Sequence, residues 1–217
     1  MKKILFLAIT VLIFAACGLS PYDAPENLEE LESSSKNRIE ENAALFEQNT
    51  EENLYVFELN NEKYITEDGY TFWTVKDINE KIDFEPVSAT LSKQSGKAES
   101  GFGIVFLSQK IDEKDYLLTV MINTKGQYVI GKYMDGQFSV ISDWKTSNYL
   151  QRGYGVKNKV QVSYDGESFV LSLNGFEVST FTVGESLKFW RSKSGYVAVI
   201  SPYEDFPDTS VKVTFEE

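Results

Sequence analysis

Short runs of alternating apolar and polar residues, cut apart by tight-turn dipeptides, leave this chain little choice but an antiparallel β architecture. Asp68-Gly69, Thr124-Lys125-Gly126, Asp135-Gly136, Asp165-Gly166 and Asn174-Gly175 mark tight turns, the Asp-Gly and Asn-Gly pairs supplying the positive φ that a tight hairpin needs. Between such turns Val160, Val162 and Tyr164 alternate with Gln161 and Ser163, and Val211, Val213 and Phe215 alternate with Lys212 and Thr214. The pattern predicts roughly twelve to fourteen short strands with no helix-bearing crossovers, which is the signature of a sandwich or barrel. Two packed antiparallel sheets are the natural solution.

The run from Asp115 to Trp144 holds three of these strands and two turns, and it is expected to form the centre of a sheet. Within it Tyr116, Leu118, Val120 and Ile122 fall on one face, while Leu117, Thr119 and Met121 make the other face apolar as well. A strand apolar on both sides is covered on both sides or lines a groove. Further strands are predicted at Leu54–Leu59, Tyr64–Thr66, Tyr70–Val75, Ile82–Leu91 and Gly101–Leu107, the last with Phe102, Ile104 and Phe106 on one face. The 15 Phe and 12 Tyr suit a pleated, half-buried surface.

Absences exclude several chemistries. With no histidine the chain has no histidine-based triad and no imidazole metal site. Its single cysteine, Cys17, permits neither an internal disulfide nor a redox pair. A net charge of −12 repels phosphate, so nucleic acid is not an expected partner.

Lys2 and Lys3 precede an unbroken apolar stretch, Ile4–Ala16, which has the length of a signal-peptide core and is too short for a mature transmembrane helix. It ends in Phe14-Ala15-Ala16-Cys17, which resembles the bacterial lipobox. That resemblance implies cleavage before Cys17, its diacylation as the new N-terminus, and an extracytoplasmic protein held on the outer membrane or cell surface. Each buried methylene of such a lipid contributes about 0.8 kcal/mol of membrane affinity. Residues 17–53 read as an acidic tether, too poor in apolar residues to fold alone. Ile39, Ala43 and Phe46 are spaced for a short amphipathic helix over Lys36–Gln48.

From Leu54 onward, GFGIVF, YLLTVMIN, GQYVIGKYMDGQFSVISDW, NKVQVSYDGESFVLSLNGFEV, GYVAVI and VKVTF follow one another in an order that resembles the concanavalin A-like lectin/glucanase superfamily. The similarity lies near its laminin-G-like and 3-keto-disaccharide hydrolase-type branches. It implies a jelly roll over residues 54–217, often with a sugar site on the concave sheet. Function does not follow from fold alone.

Retaining glycosidases need two carboxylates about 5 Å apart, and those of this superfamily carry an ExDxE strand that does not occur here. The nearest approach is Asp83 and Glu85, two apart and so roughly 6 to 7 Å from one another on one strand face. A structural calcium at Asp112, Glu113 and Asp115, or at Glu204, Asp205 and Asp208, would need several converging oxygens. Aromatic residues are the better candidates, because sugars stack their C–H faces on flat rings while polar groups take the hydroxyls. Trp144, Tyr149, Arg152 and Tyr154 cluster after the central run, Tyr133 lies on one of its strands, and Trp190 and Arg191 belong to a second loop. The expectation is an exported, lipid-anchored module that binds a glycan or other surface ligand without catalysis. A carboxylate-based glycoside hydrolase or lyase and an envelope-structural or protein-adhesion module are the alternatives.

Overall fold

The computed structural model describes residues 39–41, 46–49, 54–59, 70–75, 84–112, 114–134, 137–184, 191–200 and 211–216. Cys17 with its leader, the Tyr64–Thr66 strand, the Asp68-Gly69 and Asp135-Gly136 turns, Asp83, Glu113, Trp190, Glu204, Asp205 and Asp208 lie outside these residues. So do the side chains of Asp115 and Arg191, whose backbones are described.

Among the described residues, two seven-stranded sheets make up the fold. The first runs β1 (Ile39–Glu41), β4 (Tyr70–Val75), β13 (Arg191–Ile200), β6 (Phe102–Ile111), β7 (Lys114–Ile122), β8 (Gln127–Met134) and β9 (Gln137–Thr146). The second runs β12 (Phe176–Phe181), β11 (Phe169–Leu173), β10 (Asn158–Tyr164), β5 (Val87–Ser95), β14 (Val211–Glu216), β3 (Leu54–Leu59) and β2 (Phe46–Asn49). Every pairing is antiparallel except that of β1 with β4. The chain is thus an all-β, two-sheet jelly-roll sandwich.

Alternation sends one set of side chains from each sheet into a shared core. Ile104, Leu118, Val120, Ile122 and Ile130 of the first sheet meet Phe57, Leu91, Val160, Leu171 and Phe215 of the second. Aromatic pairs tie the layers together: Tyr196 stacks on Phe215 at 4.5 Å between ring centres, and Phe106 packs against Phe169 at 5.4 Å. A register shift between Val105 and Leu107 lets Phe106 and Leu107, adjacent in sequence, both enter this core.

Two expectations are corrected. The helix over Lys36–Gln48 does not form at the described positions, where Ile39–Glu41 and Phe46–Asn49 are edge strands. The reason is tertiary: Phe46 buries its ring 4.9 Å from Phe57 and 6.0 Å from Phe215, and that burial outweighs a local helical period. The Asp115–Trp144 run forms β7, β8 and most of β9, three neighbours as expected, but it builds one wing of its sheet with β9 at the edge. Hairpins determine which strands are neighbours in the run, whereas the middle of the sheet is set by the long-range pairing of β6 with β13.

Candidate functional site

The residues proposed from sequence separate into two places. Tyr133 and Trp144 project from the face of the first sheet that points away from the shared core. There Trp73, Val105, Leu117, Met121, Val129, Tyr133 and Val197 form a second apolar cluster, with Trp144 packed against it. The cluster is the structural counterpart of the double-sided apolar pattern of β7. Thr119, in its midst, is fully buried and donates its hydroxyl to Gly131 O at 3.4 Å.

Small residues shape this face. Phe138 lies with its ring directly over Gly131 and tilted against Tyr133 at 4.9 Å, and the Trp144 indole reaches over Met121 toward Gly101. Tyr133 is only 4 % exposed, so it is a wall of the cluster and not an open stacking surface. Trp144 is half-buried, while Phe138 and Val140 at the β9 edge are exposed. The indole N–H of Trp73 is buried and has no acceptor among the described residues. Such an orphan donor costs about 1–3 kcal/mol.

Tyr149, Arg152 and Tyr154 lie instead on the loop 147–157, at the end of the sandwich, and each meets a different element. Tyr149 stacks on Phe176 of the β11–β12 hairpin. Arg152 lies over Gly126 in the β7–β8 turn, and Gly153 N donates to Thr124 O at 2.8 Å. The Tyr154 hydroxyl donates to Gly96 O at 2.5 Å in the β5–β6 connection. The loop therefore does not gather the three side chains into one pocket.

Beneath it sits a feature that the sequence reading passed over. Lys93, 1 % exposed, points its ammonium into the β5–β6 connection and donates to Lys97 O at 2.6 Å and Ser100 O at 3.1 Å, with the Phe102 ring 5.7 Å away. The same connection is held from outside by Tyr154 on Gly96 O and by the amide and hydroxyl of Thr124 on Ala98 O. Glu99 pairs with Lys125 across the two turns. Burial pushes the Lys93 ammonium down to about 7, against the opposing pull of Glu99.

Of the two carboxylates weighed for catalysis, Glu85 is exposed and precedes β5, whose first residue is Val87, so it does not occupy the strand position assumed for it. The chain leaves extended pairing there because Phe84 turns inward against Tyr164 and Phe169, at 4.8 and 5.7 Å between rings. Asp112 is exposed with φ of 49°, a turn conformation. Among the described residues no group of three or more His, Cys, Asp or Glu side chains converges to hold a metal ion.

Asn158 and Asn174 serve the fold, Asn174 in the turn that its dipeptide predicts. Asn174 takes φ of 50° and Gly175 φ of 86°, the geometry of a type I′ hairpin turn. Phe176, Trp73, Phe138 and Lys93 were not singled out from sequence. The only available signal for Phe176 was its place directly after Asn-Gly, where an apolar residue at a hairpin tip is unusual.

No known family's sequence model and no curated protein sequence matches the chain. Solved structures do. The chain is similar to the carbohydrate-binding module CBM66 from Bacillus subtilis at 13% identity, covering 79% of this chain and 88% of that one, with a TM-score of 0.51. It is also similar to the Bacillus licheniformis β-glucanase (8% identity, 82% and 83% covered, TM-score 0.50). A Bacteroides ovatus GH16 protein of the mixed linkage glucan PUL, solved with a G4G4G3G product, compares at 8% identity, 83% and 87% covered, and a TM-score of 0.50. At such identities the likeness is one of fold alone, that of a jelly-roll sandwich.

Proposed function

We propose that this protein is an exported, lipid-anchored module that binds a glycan through the outer face of its first sheet, without catalysis. The observation that carries the reading is the second aromatic cluster. A sheet in a two-layer sandwich needs one apolar face, and this one has two, the second furnished with Trp73, Tyr133, Phe138 and Trp144. The exposed Phe138 ring over Gly131 and the half-buried Trp144 beside Met121 offer flat faces for C–H stacking at the rim of this cluster.

Trp144→Ala, at the half-buried edge of the cluster, is expected to weaken binding to whichever glycan the wild type captures on an array by tenfold or more, about 1.4 kcal/mol. Unchanged binding in a folded variant would remove this face from consideration. Product release from the bound glycan would redirect the reading to an enzyme. The anchor has its own test: growth in labelled palmitate is expected to tag the wild type and leave Cys17→Ser unlabelled, and an unlabelled wild type refutes it.

A further inference from the structure

The largest exposed aromatic surface among the described residues is not on that sheet face. Tyr149 and Phe176 stack with ring centres 4.5 Å apart and planes within 16°, yet they are 47 % and 54 % exposed. Two parallel rings cover one face of each and leave the opposite faces for solvent.

What fixes them is a half-buried amide network. Asn174 Nδ2 donates to Tyr149 O at 2.6 Å and to Asn158 Oδ1 at 2.9 Å, while Asn174 Oδ1 accepts from Lys159 N at 2.7 Å. Asn158, almost fully buried, closes the other side: its Oδ1 accepts from Gln151 N at 2.8 Å and its Nδ2 donates to Gln151 O at 3.0 Å. Ser147 Oγ accepts from Tyr149 N at 3.2 Å. The two asparagines thereby weld the loop carrying Tyr149 to the hairpin carrying Phe176, and the rings need no reordering to receive a partner.

We infer that Tyr149 and Phe176 form a second sugar-stacking platform, at the loop end of the sandwich, which takes one ring of a neutral glycan. The inference rests on the reading of the protein as a glycan binder. Size decides the class of occupant: the outward face of one half-exposed ring offers on the order of 100 Å², against about 800 Å² per partner in a stable protein interface. A single sugar ring fits that area. Charge decides against nucleotides, because a net charge of −12 repels phosphate. Gln151, Lys159 and Glu177, all exposed and carried on the segments that the network joins, supply hydroxyl partners at the rim. Two platforms on one rigid body would engage two points of a polymer, raising avidity for chains over single sugars.

The test uses native affinity electrophoresis of the folded protein in gels containing neutral β-glucan, fructan, mannan or galactan. Tyr149→Ala and Phe176→Ala are expected to weaken retardation by the polymer that binds wild type at least tenfold, at unchanged melting temperature. Tyr149→Leu, which keeps apolar cover over Phe176 but no flat ring, is expected to lose binding equally and serves if the alanine variants misfold. Retardation lost in Trp144→Ala but intact in folded Tyr149→Ala, Tyr149→Leu and Phe176→Ala overturns the second platform and leaves the first standing. A wild type retarded by none of the four polymers overturns both.

Discussion

Gly103→Ala is expected to destabilise the fold by about 3 kcal/mol or more, the largest effect of any single added methyl group on the first sheet. A Cβ on Gly103 would overlap the carbonyl oxygen of Val120 and stand 2.7 Å from the Cα of Met121, both backbone atoms of the neighbouring strand. Neither can move without breaking the β6–β7 ladder, which pairs Gly103 with Met121. For a domain of this size the loss corresponds to a melting temperature lower by about 6–12 °C. Gly131→Ala makes the informative contrast. Its added methyl would run into the Phe138 ring, an exposed side chain that can swing outward, so a loss nearer 1 kcal/mol is expected. The price of that relief falls on the proposed site, since a displaced Phe138 no longer leans on Tyr133. Thermal unfolding of the two variants checks the pair; a Gly103→Ala protein melting within about 2 °C of wild type would show that the strands do not approach as described.

The second large effect concerns pH. In the unfolded chain Lys93 keeps the ordinary value of 10.5, whereas in the fold it is about 7. Between those two values the unfolded state holds a proton that the native state has released, so raising the pH favours the native state. Below about 7 both states are protonated and the full cost of burying the charge is present; above 10.5 it is gone. Stability of the wild type relative to Lys93→Met is therefore expected to climb with pH across this window, by up to about 1.4 kcal/mol per pH unit. Taking the difference removes the contributions of tyrosines and other lysines that titrate in the same range. Urea unfolding at several pH values measures it, and a flat difference from pH 7 to 10.5 would mean that the two carbonyl acceptors keep the amine charged throughout. Amide exchange at Gly96–Ser100 supplies a local readout, with protection expected to fall in Lys93→Met, because the ammonium ties Lys97 O to Ser100 O.

The legibility of this protein from its residues follows the range of each interaction. Leu54–Leu59 and Tyr70–Val75 are strands as predicted, Val160, Val162 and Tyr164 share a strand as their alternation predicts, and Asn174-Gly175 turns as its dipeptide demands. The double-sided character of β7 was also readable, because face assignment needs only a period of two. Edge strands were not: the spacing of Ile39, Ala43 and Phe46 suits a helix, and nothing local reveals that Phe57 and Phe215 wait for the Phe46 ring. The site residues divide in the same way. Composition could point to aromatics, but whether a given ring is wall or platform depends on what lies against it. Tyr133 is buried by its neighbours and Tyr149 is held out by an asparagine network whose members lie 25 and 16 positions apart in sequence.

By itself, then, the sequence determined the all-β class, the turns at Gly126, Asp165-Gly166 and Asn174-Gly175, which side chains share a strand face, and the exclusion of histidine chemistry, because all of these depend on residue identity and on neighbours within a hairpin. Only the tertiary structure decided that the Asp115–Trp144 run lies at the wing of its sheet, that Lys93 is sealed beneath the end loops, and that Phe176 completes a stacked pair with Tyr149. Those outcomes rest on contacts between segments far apart in the chain, whose burial energy exceeds any local preference and leaves no periodic trace in the residues that make them.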